Sequence, residues 1–339
     1  MHILGIETSC DETSGAVVTS GIELRSNVVA SQDALHAPYG GIVPEIASRA
    51  HIERIESVVD EALQKAGLGM ADIGGIAVTS GPGLLGSLIV GLSYAKALAY
   101  ARKIPFYGIN HLEAHLHAIF LEKQIAYPFI GLIVSGGHTA LYEVNGVGRI
   151  ELLGATRDDA AGEAFDKAAK LLGLGYPGGR QIDQLAQKGC PDAIDFPRPY
   201  QREQHCHFSF SGLKTAVLND IKKRQTKPSQ QELCDIAASF QEAVCETLVY
   251  QSLKALKQKR LRRLVVAGGV AANSRLRTLF NDCAKKEAIE VSFPSLPLCT
   301  DNAAMVAALG YHYLKENPRG DPLSLNAYAH CAVIGAGKA

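Results

Sequence analysis

Two segments of the chain share the same order of apolar and polar residues. In HILGIETSCDETSGAVVTSG (residues 2–21), an apolar run leads into a polar turn, and a second apolar run follows. FIGLIVSGGHTALYEVNG (residues 129–146) has the same order, with its turn around Gly136 and Gly137. Short apolar runs on either side of turn-forming residues are typical of β-hairpins. The sequence therefore predicts a hairpin in each half of the chain.

A second pattern is also repeated. IAVTSGPGLLGSLIVGLSYAKALAY (residues 76–100) and LVVAGGVAANSRLRTLF (residues 264–280) each contain a short apolar run, a glycine turn and a segment with helical periodicity. This order predicts a buried strand followed by a helix. Helical patterns follow at residues 231–258 and 301–314. The repeats together favour an α/β protein with two similar halves.

Composition narrows the class of protein. The 339 residues are 47% hydrophobic and 20% charged, and 34 basic residues balance 34 acidic ones. These values exclude intrinsic disorder and argue against general coating of a polyanion. The chain has no apolar run long enough to cross a bilayer and no N-terminal signal pattern, so we expect a cytoplasmic protein. Its eight cysteines form no C-x-x-C pair, which argues against a zinc ribbon and a disulfide framework.

One helical stretch, HLEAHLHAIF, offers candidate metal ligands. His111 and His115 are four residues apart and therefore share a helix face. Asp301 follows Gly268 at about the distance at which His111 follows Gly81 in the repeated pattern. Two imidazoles and one carboxylate suit iron or zinc. The alternatives are structural histidines and an N-cap role for Asp301.

A zinc protease is disfavoured, although two histidines with this spacing invite the comparison. The protease signature H-E-x-x-H places a glutamate directly after the first histidine as general base. Leu112 occupies that position here, and Glu113 would point elsewhere on the helix.

Two glycine turns could present backbone N–H groups to a phosphate. They are Ser135-Gly136-Gly137-His138 and the turn at Gly268-Gly269. Ordinary tight turns are the alternative, but their recurrence in a repeated frame favours a nucleotide site. The chain lacks both the Walker pattern and the dinucleotide-binding G-x-G-x-x-G pattern.

Acidic residues beside turns provide further candidates. Asp11 and Glu12, with Glu7 before them, form an acidic cluster at the first turn that could act as a general base. Asp166 and Asp183 could bind ribose hydroxyls or a substrate amine. Turn preference and surface solvation are the respective alternatives.

Several motifs together resemble the TsaD (YgjD/Gcp) family. They are GIETSCDETSGAVV, YGGIVPEIASRAH, TSGPGLLGSLIVG, NHLEAHLHA, VSGGHTALYEV, DDAAGEAFDKAAKLLGLGYPGG, FSFSGLKTAV, GGVAANSRLR and CTDNAAMVA. The resemblance implies the actin-like/Hsp70-like ATPase (ASKHA) fold, in which two duplicated lobes surround a nucleotide cleft. We expect lobes at residues 1–110 and 111–326, an insertion at 151–228 and a loosely ordered tail at 327–339.

The resemblance also implies an activity. It is transfer of the threonylcarbamoyl group from L-threonylcarbamoyladenylate to N6 of the adenosine adjacent to the anticodon, in tRNAs that read codons beginning with A, with release of AMP. An actin-like ATPase or kinase without transferase activity is the alternative, and a metalloprotease is the less favoured one.

Family roles at matching positions give a set of site residues. The metal would be held by His111, His115 and Asp301, with iron(II) favoured and zinc as the alternative. The substrate would be bound by Val134, Ser135, Gly136, Gly137, His138, Asp166, Gly179, Asp183 and Asn273. Asp11 and Glu12 are the catalytic candidates.

The partners that the resemblance implies are tRNA, a TsaB-like paralogue and a TsaE-like small ATPase, with no membrane. We expect a homodimer when the paralogue is absent. The helices around residues 49–67 and the YGGIVPEIASRAH stretch (residues 39–51) are the expected dimer surfaces.

Overall fold

The computed structural model describes residues 1–200, 203–224 and 226–330. The strands are β1 (His2–Glu7), β2 (Glu12–Thr19), β3 (Glu23–Ser31), β4 (Ile73–Gly81), β5 (Phe106–Asn110), β6 (Phe129–Val134), β7 (Thr139–Gly146), β8 (Arg149–Ala155), β9 (Arg263–Ala267) and β10 (Glu290–Ser292). The helices are α1 (Asp33–His36), α2 (Pro44–Ala66), α3 (Leu85–Arg102), α4 (His111–His117), α5 (Ala161–Leu171), α6 (Gly178–Ala186), α7 (Ser211–Lys223), α8 (Gln230–Lys259), α9 (Ser274–Glu287), α10 (Leu296–Cys299) and α11 (Ala303–Glu316). Within these residues, no helix is both long and apolar enough to cross a membrane.

The strands form two five-stranded sheets with corresponding strand orders. The first has the order β3-β2-β1-β4-β5, and the second, read from the corresponding edge, has the order β8-β7-β6-β9-β10. In the first sheet, β1 pairs antiparallel with β2 and parallel with β4. In the second sheet, β6 pairs antiparallel with β7 and parallel with β9. Both predicted hairpins and both strand–turn–helix segments are thus confirmed, and the duplication extends to topology.

The first sheet has apolar side chains on both faces because alternate residues of a strand point to opposite sides. Ile3 packs in a cluster with residues of α11, whereas Leu4 and Ile6 pack against α2 and α3. Helices on both faces explain why these strands are apolar runs rather than an alternation of apolar and polar residues.

Contacts divide the chain into two units at other positions than expected. The first unit contains Met1–Ala126, Gly146–Arg149 and the chain from Pro294 onward, and the second contains Tyr127–Asn145 and Ile150–Phe293. The expected lobes differ from these units because α4 and α11 both pack with the first sheet, so the chain returns to its first unit after residue 293. The expected 151–228 segment lies in the second unit and forms α5, α6 and α7 there.

The described part of the expected tail is not loose. The backbone N–H of Tyr328 donates to the carbonyl of Ser80 (3.0 Å), and the N–H of Gly83 donates to the carbonyl of Ala329 (3.2 Å). These backbone bonds do not depend on side-chain periodicity, so the sequence pattern gave no sign of them. Residues 331–339 of the expected tail, including Cys331, lie outside the described residues.

Candidate active site

Helix α4 carries both candidate imidazole ligands on one face. Asn110 caps the helix, since its Oδ1 accepts hydrogen bonds from the N–H groups of Leu112 (3.0 Å) and Glu113 (3.1 Å). The four-residue spacing places the ring centroids of His111 and His115 4.6 Å apart. Both histidines are buried. The helix therefore holds two nitrogen ligands side by side.

Asp301 lies beside these rings, immediately before helix α11. Its Oδ1 is 3.0 Å from Nε2 of His115 and 3.4 Å from Nε2 of His111. One ligand atom from each of the three residues lies within 4.8 Å of the others. The N-cap alternative for Asp301 is wrong because Asn302 fills that role, with its Oδ1 accepting from the N–H of Met305 (3.1 Å). The Asp301 carboxylate faces the imidazoles instead.

This donor set fits a divalent transition metal. Two imidazole nitrogens and one carboxylate suit iron(II) and zinc and leave coordination positions open. Burial lowers the pKa of His111, but the negative charges of Asp301 and Glu7 outweigh this effect and raise that pKa to about 10. Burial raises the pKa of Asp301, but the attraction of His111 outweighs this effect and holds that pKa well below its usual range. A divalent cation would replace the proton on His111, since metal ligation requires a neutral imidazole.

Glu7 lies behind His111 and is not part of the cluster that faces the first turn. Its Oε2 is 3.0 Å from Nδ1 of His111 and accepts a hydrogen bond from the hydroxyl of Thr79 (2.6 Å). Its Oε1 accepts from the N–H of Ser9 (2.5 Å). The side chain is completely buried. Neither Thr79 nor this use of Glu7 was predicted, because the sequence does not show which strand ends meet.

Asp11 and Glu12 lie where β2 begins, together with Asp33. One carboxylate oxygen from each lies within 4.8 Å of the others. Burial, followed by the negative charges of Asp301 and Asp11, raises the pKa of Glu12 well above its ordinary value. These surroundings therefore favour the protonated form of Glu12. Paired carboxyl groups of this kind are suited to accepting and donating protons.

In the second unit, the turn between β6 and β7 leaves its two glycines open. The N–H of Ser135 donates to the carbonyl of His138 (2.8 Å), and the hydroxyl of Ser135 accepts from the N–H of His138 (3.1 Å). A Cβ added at Gly136 or Gly137 would meet no atom of the described chain within 4 Å. The space above the turn is therefore available to a ligand.

The glycine turn after β9 lies against the end of β6. Gly268 has a φ of +96°, and a Cβ there would lie 2.4 Å from the carbonyl oxygen of Val134. Only glycine meets both constraints. The two glycine turns that the sequence singled out are therefore neighbours in the second unit.

The remaining predicted substrate residues bind the starts of helices. Asp166 accepts a hydrogen bond from the N–H of Gly178 (2.8 Å), next to Gly179 at the start of α6. Asp183 accepts from the N–H (3.3 Å) and hydroxyl (2.7 Å) of Ser274 at the start of α9. Each carboxylate thus anchors a helix start within the second unit.

Asn273 caps α9. Its Oδ1 accepts from the N–H of Leu276 (3.0 Å), and its Nδ2 donates to Oε1 of Gln241 (2.7 Å). Gln241 and Ser274 were not predicted; no motif contains Gln241, and the GGVAANSRLR motif contains Ser274 without indicating its role. These contacts show how the fold holds the predicted substrate residues in place.

Glu113 has a structural environment that argues against the protease alternative. Its carboxylate accepts hydrogen bonds from the N–H of Gly148 (2.7 Å) and the hydroxyl of Tyr313 (2.8 Å), and the side chain is buried. Burial raises its pKa. Both oxygens are engaged away from His111 and His115, so no glutamate on this helix is placed as the protease base.

Comparison with known structures shows the fold. The activator of the 2-hydroxyisocaproyl-CoA dehydratase from Clostridium difficile, with bound ADPNP, matches with a TM-score of 0.55 and 15% identity over 94% of this chain and 97% of that one. HypF from T. kodakarensis matches with a TM-score of 0.63 and 16% identity over 93% of this chain and 48% of that one. With the duplicated sheets, these matches show the actin-like ATPase (ASKHA) fold.

Comparison of sequences shows the family. A protein from Trichlorobacter lovleyi named tRNA N6-adenosine threonylcarbamoyltransferase is 57% identical over 97% of this chain and 96% of its own length. One of the same name from Geobacter sulfurreducens is 53% identical over 100% and 99%. The sequence model of the family described as TsaD, tRNA N6-adenosine threonylcarbamoyltransferase, matches residues 23–308. The chain therefore belongs to the TsaD family.

Proposed function

We propose that this chain transfers the threonylcarbamoyl group from L-threonylcarbamoyladenylate to N6 of the adenosine adjacent to the anticodon, in tRNAs that read codons beginning with A. A bond forms between N6 and the carbamoyl carbon, and the bond from that carbon to the phosphate oxygen breaks. AMP leaves with the electron pair, and N6 gives up one proton. The convergence of His111, His115 and Asp301 is the observation in this chain that carries the proposal.

The metal would be bound by those three residues through two neutral imidazoles and one carboxylate. Iron(II) is our first candidate because two histidines and one carboxylate form its common three-ligand site, and zinc is the second. When bound, such a cation supplies Lewis-acid polarisation of a carbonyl oxygen. The burial of both histidines supports the assignment, because a dry site strengthens the electrostatic attraction between a cation and its ligands.

Proton removal from N6 falls to the carboxyl pair at the start of β2. We assign the accepting role to Asp11, because the raised pKa of Glu12 favours its protonated form, which suits Glu12 to donate a proton rather than accept one. An exocyclic adenine amine is a weak nucleophile, so a base beside it would assist the attack. Replacing Asp11 with Asn should lower turnover and leave the metal content unchanged. Loss of the metal in this variant would contradict the assignment.

The adenylate would be bound by residues of the second unit. The turn at Ser135–His138 provides N–H groups without a Cβ above Gly136 and Gly137, which suits a phosphate. Val134, Asp166, Gly179, Asp183 and Asn273 complete the proposed set. The contacts of Asp166, Asp183 and Asn273 with helix starts support the proposal, because a binding site needs such fixed elements.

An exposed apolar face on α2 and α3 supports a protein partner. The two helices pack together, and Ile52, Leu85 and Ile89 are 65%, 47% and 50% exposed. We assign this face to a TsaB-like paralogue, or to a second copy of the chain when the paralogue is absent. A TsaE-like small ATPase would join that complex. Because tRNA is the substrate, we place the enzyme in the cytoplasm.

Nucleoside mass spectrometry of tRNA tests the activity. Cells depleted of their own threonylcarbamoyltransferase would receive the native chain, the Asp301→Ala variant or the Asp192→Ala variant. Asp192 is exposed and serves as the matched control. We expect threonylcarbamoyladenosine to return with the native chain and the control and to stay absent with Asp301→Ala. If the native chain did not restore the nucleoside, the actin-like ATPase or kinase would become the preferred function.

A further inference from the structure

The two imidazoles of the metal site have different surroundings on the side away from Asp301. Nδ1 of His111 lies 3.0 Å from Oε2 of Glu7 and 3.1 Å from the hydroxyl of Ser9. Nδ1 of His115 is buried and has no hydrogen-bond partner among the described residues. On the Nδ1 side, a charged acceptor therefore contacts the ring of His111 but not that of His115.

Glu7 is held in this position by its neighbours. The hydroxyl of Thr79 donates to the same oxygen that faces His111, and the N–H of Ser9 donates to the other oxygen. β1 and β4 are adjacent parallel strands, so Glu7 and Thr79 lie at neighbouring strand ends. A completely buried carboxylate is costly unless it is hydrogen-bonded. The local chain is thus built to keep this carboxylate behind the ring.

We propose that Glu7 is a positioning residue: its carboxylate accepts a hydrogen bond from the Nδ1–H of His111 and thereby holds the ring with Nε2 directed toward Asp301, where the metal would be bound. The proposal rests on the metal site assigned above. A carboxylate behind a ligating histidine fixes its tautomer and increases its basicity, and loss of such a partner typically lowers metal affinity about 10–100-fold. His115 lacks this support, so the metal affinity of the pair depends on Glu7.

The Glu7→Gln variant tests the proposal in the full-length chain. Its amide oxygen can still face His111, but it carries no charge. The probes are zinc affinity measured by isothermal titration calorimetry and the ¹⁵N chemical shifts of labelled histidines in the zinc-loaded protein. We expect affinity to fall about 10–100-fold and the Nδ1 signal of His111 to shift. The Glu113→Gln variant is the matched control, because Glu113 is also buried and hydrogen-bonded but does not contact the ligands.

Two further variants separate the outcomes. Asp301→Asn should weaken zinc binding by itself, and unchanged affinity there would overturn the metal site rather than the role of Glu7. Weakened binding by Asp301→Asn with native affinity and native His111 signals in Glu7→Gln would overturn the positioning role. If Glu7→Gln does not fold, Thr79→Val replaces it, because it removes only the hydroxyl that orients Glu7. A several-fold loss of affinity would then support the role, and native affinity would refute it.

Discussion

A methyl group at position 5 would collide with the first turn of helix α11. A Cβ built on Gly5 lies 2.2 Å from the carbonyl oxygen of Ala303 and 2.9 Å from the backbone nitrogen of Ala307. Both are backbone atoms, so no side chain can rotate away. Strand β1 and helix α11 would have to separate by about 1 Å to restore a normal contact.

The expected loss of stability in the Gly5→Ala variant follows from this overlap. Overpacking a core costs about 1–3 kcal/mol, and we expect the upper end because two backbone segments must move. For a large domain, 3 kcal/mol corresponds to a Tm lower by about 6–12 °C. Asp301 precedes Ala303 by two residues, so the same shift should displace its carboxylate and weaken metal binding about tenfold or more.

Thermal unfolding with a chelator present measures the first effect, and calorimetric titration with zinc measures the second. Gly41→Ala is the matched control, since a Cβ there meets no described atom within 4 Å. Because both variants replace glycine with alanine, Gly41→Ala also corrects for the lower conformational entropy that alanine gives to the unfolded chain. A Gly5→Ala variant with the Tm and zinc affinity of the control would show that α11 does not need this close approach.

Three other predictions concern separate parts of the molecule. Burial lowers the pKa of His51, so the unfolded chain binds more protons, and stability should fall as pH drops below about 6.5. His51→Gln should reduce this slope of Tm between pH 7 and 5, and an unaltered slope would contradict it. Tyr328→Phe removes the hydroxyl that accepts a hydrogen bond from Nδ2 of Asn110, the residue that caps α4 and so helps to position His111 and His115. Zinc affinity should therefore fall a few-fold, in line with a loss of about 1 kcal/mol. Native zinc affinity in the calorimeter would contradict this prediction. Gly136→Ala should keep the native Tm but weaken AMP binding in equilibrium dialysis, whereas unchanged AMP affinity would remove this turn from the adenylate site.

The sequence predicted the two hairpins and the two strand–helix segments because their signals are local. The hairpins and the strand–glycine–helix segments are continuous stretches, and their repetition identified corresponding strands in the two sheets. The boundaries of the two units could not be found from these local signals. Nothing in the pattern of α11 indicates that it packs against Ile3 and Ala77, which come much earlier in the chain.

Within the metal site, spacing and repetition indicated the three candidate ligands, but adjacent polar residues could not be told apart. Asp301 and Asn302 both suit an N-cap, and only the backbone geometry assigns that role to Asn302. Glu7 lies in a polar turn sequence that resembles a single acidic cluster. Its contact with His111 depends on tertiary structure, which no motif encodes.

The path of the chain through the two units determines the order in which they can be completed during synthesis. The second unit ends at Phe293, before Asp301 has been added to the chain. The first unit cannot be completed before α11 is synthesised, because the alanines of α11 cover one face of the first sheet. Since domains fold as units during synthesis, the second unit can fold first, while one apolar face of the first sheet is still uncovered. Until α11 has been synthesised, the uncovered face of the first sheet is therefore open to aggregation and chaperone binding.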